Sequence, residues 1–217
     1  MSIRKVAFVP GEYYHIYNRG NGKNQIFHDE EDYMFFITLF HLLNRSSNTR
    51  VSELIDFGFY AQINEPLVAI GAYVLMPNHF HILITQTEKG DISKFMQKIS
   101  TAYVMYYNKK YKRTGSLFEG KFKSQHLDTD NYLKYIFSYI HLNPIKLIDK
   151  NWKENGLKDF KKSVVYLNNY KYSSYLDYIK KGTRSQEIIL NTKAFPNYFL
   201  KPTDFQKEIF EWLKFKE

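Results

Sequence analysis

The stretch that most constrains this chain runs from Leu67 to Thr85, a dense series of β-branched, aromatic and other apolar residues interrupted once, at Pro77-Asn78. It predicts two strands, Leu67 to Met76 and His79 to Thr85, broken by the Pro-Asn pair and close enough in sequence to form a hairpin. In the second strand His79 and His81 stand two residues apart and so share a face, while Phe80 points the other way, into a core. Two neutral imidazoles side by side on a strand can chelate a metal ion with little rearrangement. The competing reading is an accidental pair that binds nothing.

Composition narrows the setting. With 217 residues and 44% apolar content, the chain can bury a core for one ordinary domain plus an extension, or two small ones. No segment has the roughly 18 uninterrupted apolar residues of a membrane span, and Met1 to Phe8 lacks the pattern of a signal peptide. A cytoplasmic protein without membrane association is expected. There is no cysteine, so disulfides and thiolate metal sites are excluded. Thirty-one Lys and Arg against 22 Asp and Glu give a formal charge of +9, which favours a polyanionic partner. The 19 Tyr, 18 Phe and 2 Trp add rings able to stack on unpaired bases.

In chain order, Tyr13 to Asn18 reads as a first strand stopped by Arg19-Gly20-Asn21-Gly22-Lys23, a turn whose amides and cations could meet a phosphate. A helix opens at Asp29 or Glu30, with Tyr33, Phe36, Ile37, Phe40 and Leu43 on one face. After the predicted hairpin, a long helix runs from Asp91 to about Tyr111, and Lys121 to Leu127 alternates as a fourth strand. Asp128-Thr129-Asp130 can cap a helix over Asn131 to Asn143, which Pro144 should end. The order strand-helix-strand-strand-helix-strand is the ferredoxin-like split βαβ pattern. The expected fold is therefore α+β, with helices on one face of the sheet. Residues 1–150 are expected to form this domain. Beyond Lys150 the composition shifts, and residues 151–217 read as a C-terminal helical and irregular extension packing on or beside it. Phe205, Ile209, Trp212 and Leu213 mark a closing amphipathic helix.

The helix before Pro144 carries Tyr135, Tyr139 and Asn143 on one face. A phenol is a poor nucleophile at neutral pH. Beside a divalent cation that also grips a phosphodiester, it can attack phosphorus. The Asn143 amide offers a neutral oxygen suited to Mg²⁺ or Mn²⁺. Equally, these tyrosines could be core residues of the helix face. Other candidates are weaker. Adjacent Tyr106 and Tyr107 point about 100° apart on their helix, so at most one could face a metal. His141 should face away from Tyr139. His126 is a possible metal neighbour, and His15, on the first strand, can approach the site but is read as a packing residue.

These residues together resemble the HUH single-tyrosine transposases, and more narrowly the IS200-like domain of REP-associated tyrosine transposases. The likeness rests on Met76-Pro77-Asn78-His79-Phe80-His81 and on Tyr139-Ile140-His141-Leu142-Asn143-Pro144. Asn18-Arg19-Gly20, the segment Gly115 to Lys123 and Tyr172-Ser173-Ser174-Tyr175 add to it. It covers roughly residues 10 to 180. The resemblance implies His79, His81 and Asn143 as metal ligands for Mg²⁺ or Mn²⁺ and Tyr139 as the catalytic tyrosine. Family branches differ at the third ligand, where some carry glutamine. It further implies cleavage and rejoining of single-stranded DNA at hairpin-forming repeats through a 5′-phosphotyrosine, by a monomer or a homodimer. Arg19, Lys109, Lys110, Arg113, Lys121 and Lys123 are the expected DNA-binding residues. The alternative is a domesticated protein of the same fold that binds single-stranded nucleic acid without transposition, although binding alone needs neither histidine nor Tyr139.

Overall fold

The computed structural model describes residues 7–88, 90–199 and 201–214. Of the amino-terminal stretch read for a signal peptide, residues 1–6 lie outside the described residues. Four strands, β1 (Tyr13–Arg19), β2 (Val68–Met76), β3 (His79–Gln86) and β4 (Lys123–His126), form one sheet in the order β2-β3-β1-β4. Every neighbouring pair is antiparallel. Helix α1 (Glu30–Leu42) and the short α2 (Val51–Leu54) lead from β1 to β2, and α3 (Ile92–Lys110) joins β3 to β4. The split βαβ order predicted from periodicity is thus the order found. Local chemistry sets the helix starts: the Asp29 carboxylate accepts from the Asp32 N–H at 3.0 Å, and that of Asp91 from the Lys94 N–H at 2.9 Å.

The expectation of helices on one face holds for the two crossover helices alone. Phe36 and Phe40 of α1 and Phe95, Ile99 and Tyr103 of α3 pack on Ile16, Phe80 and Ile82. The opposite face is covered as well, by α4 (Asp130–Leu142) and the chain beyond it. The reason lies in β2, which is apolar on both sides and buried along its whole length. Leaving Ala72, Val74 and Met76 in water would forgo their hydrophobic stabilisation, about 25 cal/mol per Å². The cover comes from α5 (Trp152–Asn155), α6 (Phe160–Leu167), α7 (Tyr175–Ile179) and α8 (Pro202–Lys214), which bury Trp152, Leu167, Tyr175 and Phe205 beside Val74, Leu83 and Ile140. Gly71 sits at the β2 bulge, where a Cβ would come within 2.8 Å of the Phe195 ring. The covering segment also runs along the outer edge of β2, where the Leu75 N–H donates to Tyr172 O and the Asn191 N–H to Ile70 O, each at 2.9 Å.

Helix α4 is tied down from inside. His141 Nδ1 donates to Phe137 O at 2.8 Å, which leaves Nε2 to accept from the Ser174 hydroxyl at 2.8 Å. Ser174 Oγ in turn accepts from the Tyr73 N–H at 3.0 Å. His141 therefore faces away from Tyr139 and fastens α4 to the sheet. Pro144 does not stop the chain turning. Helix α4 passes directly into a 3-10 turn, Asn143–Leu147, with Pro144 near its start, where a missing N–H costs nothing. Among the described residues no helix is long and apolar enough to cross a membrane.

Candidate active site

Strand register assembles the site. His79 pairs with Arg19, His81 with Tyr17, and Tyr17 on its other side with Lys123. The two-residue period turns these side chains to the face on which α4 lies. There the Tyr139 ring meets His81 edge to face, with centroids 5.4 Å apart, and His15 at 5.8 Å. Tyr17, Arg19, Lys23, His79, His81, Glu119, Lys123 and Tyr139 are among the residues lining one cleft of about 320 Å³.

The histidine turn is held from behind. Pro77 O accepts from the N–H groups of Ile26 (2.8 Å) and Phe27 (3.1 Å), and Asn78 O from that of Gly20 (2.8 Å). The loop amides of Gly20 and Asn21 are thereby used on Asn78 O and Leu117 O, and it is the side chains of Arg19 and Lys23 that reach the cleft. Gly20 is required there, since a Cβ would fall 2.1 Å from Asn24 O. The Asn78 amide nitrogen donates to Lys23 O at 3.1 Å, so its oxygen faces His79 Nδ1 at 2.6 Å. An amide oxygen only accepts, so Nδ1 of His79 carries the proton and Nε2 keeps its lone pair.

Burial dominates the electrostatics. It lowers the His15 and His79 pKa values to about 4, with the charges of Lys146 and Arg19 assisting at His79. His81 lies well below its usual value, through burial first and then His15, His79 and Lys146. All three imidazoles are neutral at pH 7, the form that ligates metals. Burial also raises the Tyr139 phenol, opposed by a hydrogen bond from Asn143 and the charge of Lys153. Lys146 Nζ and Lys153 Nζ stand 5.7 and 5.2 Å from the Tyr139 ring centre.

The expected site residues divide by location. His79, His81, Tyr139, Arg19 and Lys123 share the cleft. Arg19 is bidentate with Glu119, Nη2 donating to Oε1 at 2.9 Å and Nε to Oε2. Asn143 is buried one turn beyond Tyr139. Its amide nitrogen donates to Tyr139 O at 2.8 Å, and its Oδ1 has no partner. Lys109 and Lys110 do not reach the cleft, because α3 packs on the other face of the sheet. Lys110 is instead bound to Asp29, Glu31 and Asp32 at 2.8–3.0 Å. Arg113 lies over the Tyr107 ring at 5.5 Å, and Lys121 is exposed in the loop before β4. Tyr106 and Tyr107 belong to the α1–α3 side, where Tyr106 bonds Asp32 and Tyr107 bonds His28. His126 pairs with Glu12 at 2.6 Å. His15, read from sequence as packing, reaches the site: its Nε2 lies 2.8 Å from His81 Nδ1. Tyr17, Lys146 and Lys153 were not foreseen. Lys146 and Lys153 follow the supposed helix stop at Pro144, and the continued turn brings Lys146 back over Tyr139.

Among the described residues no three His, Asp or Glu side chains converge as a ready-made metal cage. The cleft offers two imidazoles, which suit a divalent cation; Asn143, whose amide oxygen is a buried polar atom without a partner, is not among the residues that line it. A buried acceptor of that kind costs about 1–3 kcal/mol unless something answers it. The two imidazole nitrogens fit Mg²⁺ or Mn²⁺ provided that oxygen ligands complete the shell.

The split βαβ sheet thus carries paired strand histidines opposite a helix tyrosine. The family model described as "Transposase IS200 like" matches residues 9–143, more than half of the chain. The chain belongs to the IS200-like transposase family, whose members move DNA. Among solved structures it is similar to a REP-associated tyrosine transposase bound to a REP hairpin. The TM-score is 0.55 at 13% identity, covering 90% of this chain and 96% of that one. A candidate transposase from Deinococcus radiodurans R1 covers 64% of this chain and 95% of its own at 16% identity, with a TM-score of 0.35, too low to speak for a shared fold. No curated protein matches the chain.

Proposed function

We propose that this transposase cleaves and rejoins single-stranded DNA through a phosphotyrosine at Tyr139, aided by a divalent cation, Mg²⁺ or Mn²⁺, at His79, His81 and Asn143. The observation that carries the reading is the edge-to-face contact of Tyr139 with His81, 5.4 Å between centroids, in a cleft that also holds Arg19 and Lys123. A bound cation would polarise the scissile phosphate and offset the charge that grows on its oxygens. Tyr139 Oη forms a bond to phosphorus as the bond to the 3′-oxygen breaks. The phenolic proton is lost and the 3′-oxygen gains one, leaving a 5′-phosphotyrosine and a 3′-hydroxyl. Attack by a second 3′-hydroxyl reverses the exchange, so one phosphodiester is conserved without outside energy. Lys146 and Lys153, close to the Tyr139 ring, favour the phenolate as it develops. Lys23 and Lys123 hold the flanking phosphates, and Arg19 joins them when phosphate replaces Glu119.

The solved relative bound to a REP hairpin supports a hairpin-forming repeat as the substrate. In this reading residues 1–150 carry the chemistry, residues 151–217 seat α4, and the protein acts in the cytoplasm, as monomer or homodimer. The test is incubation with labelled single-stranded hairpin DNA and Mn²⁺. The intact chain should form an adduct stable to boiling detergent, and Tyr139→Phe should form none while still binding DNA. An adduct of equal yield in Tyr139→Phe would remove Tyr139 from the mechanism.

A further inference from the structure

A ligand histidine must present a bare nitrogen, and what fixes that nitrogen is the bond made by the other one. For His79 the fixing group is the Asn78 amide oxygen, as shown above. His81 has an equivalent contact in His15, 66 positions away in sequence: His15 Nε2 to His81 Nδ1, 2.8 Å, with the ring centroids 4.9 Å apart and the planes 26° from parallel. His15 is 6% exposed and does not line the cleft, so it cannot act on DNA directly. It stands opposite Leu83 in the register, a place on the covered face that an apolar side chain would fill. A buried imidazole there costs free energy unless its nitrogen is used, and the group that uses it is His81.

We propose that His15 is the positioning residue for His81. Its Nε2 accepts the His81 Nδ1–H, which leaves His81 Nε2 with its lone pair, as Asn78 does for His79. Both histidines of the pair then offer the same nitrogen to a divalent cation. The inference rests on the metal reading of the cleft, and its first test does not depend on metal.

Ring nitrogens of the full-length chain can be read without metal by long-range ¹H–¹⁵N correlation NMR at neutral pH. His81 should show a protonated Nδ1 and a bare Nε2. His15→Gln keeps an acceptor oxygen at that reach, whereas His15→Met fills the same space with no comparable acceptor. The Gln chain should keep the His81 tautomer and the Met chain should lose it. In a Mn²⁺ titration of the same chains, His15→Met should bind about 10–100-fold more weakly, with His15→Gln within a few-fold of the intact protein. His81 protonated on Nε2 in the intact chain overturns the proposal. So does a Met chain that binds Mn²⁺ as tightly as the Gln chain, and in that case the metal reading survives. An intact chain that takes up no Mn²⁺ while His81 shows the expected tautomer overturns the metal reading, and the positioning role with it.

Discussion

At the scale of single residues, the basic side chains have unequal tasks although composition counts them alike. Lys110 satisfies Asp32, which is fully buried and also receives hydrogen bonds from Tyr106, Tyr111 and the His28 amide. Removing one partner of a buried ion pair leaves an uncompensated charge. Lys110→Ala should therefore cost about 3 kcal/mol of stability and leave DNA affinity unchanged, as urea denaturation and a binding titration would show. Lys123 faces the cleft and is exposed. Its replacement by Ala should spare stability, weaken DNA binding and lower the salt slope by about one. Lys146 differs from both. Lys146→Ala should slow cleavage by about 100-fold with Mn²⁺ affinity no weaker, because a positive neighbour of His79 and His81 is gone. Unaltered single-turnover cleavage would exclude it from the chemistry.

At the scale of elements, α4 depends on a hydrogen bond that no helical pattern announces. Ser174 links His141 to the Tyr73 backbone, and all three groups are buried. Ser174→Ala strands the His141 nitrogen and should cost about 1–3 kcal/mol, seen as a lower urea midpoint with an unchanged slope. Much of the framework was legible in sequence because it is written locally. The alternation of Tyr13 to Asn18 and of His79 to Thr85, the Asp29 and Asp91 caps and the spacing of Phe36 and Phe40 each report on neighbours a few residues away. The His79–His81 pair and the Tyr139–Asn143 spacing are local too. What stayed hidden arises from distance or from brevity. His15 meets His81 only after β1 and β3 pair. Lys146 is lost if Pro144 is taken to end all turning. The helices beyond residue 150 are mostly short, α5 having four residues and α7 five, so they show no period. The lysines expected to bind DNA from α3 lie on the sheet face away from the cleft, since charge on a helix does not reveal which side of the sheet the helix will cover.

At the scale of the molecule, the buried imidazoles set a direction for acid. Burial holds His15 and His79 at about 4 and His141 at about 3, against 6.5 for an unburied histidine. As pH falls from about 6.5 towards 4, the unfolded chain takes up these protons and the folded one resists, so stability is lost. Each contributes about 2 kcal/mol by pH 5. Asp177 works the other way. Burial lifts its carboxyl to about 6 from 3.8, so between those values the folded state binds the extra proton and acid stabilises. Three histidines outweigh one carboxyl, and Tm should drop by roughly 10 °C from pH 7 to pH 5. His141→Gln should flatten that decline; a Tm higher at pH 5 than at pH 7 would contradict the account. The covering segment has one more consequence, set by its run along the outer edge of β2. That strand is nine residues long, apolar on both sides, and two of its edge groups, the Leu75 N–H and Ile70 O, are capped by the chain around Tyr172 and Asn191. The other edge of the sheet, β4, is four residues long and bears Lys123, a poor template for a stranger's strand. The carboxy-terminal third therefore closes the β2 edge to strand pairing with another chain. A chain cut after residue 150 should precipitate or form strand-paired oligomers with thioflavin-positive character, where loss of core packing alone would leave a dispersed, monomeric coil.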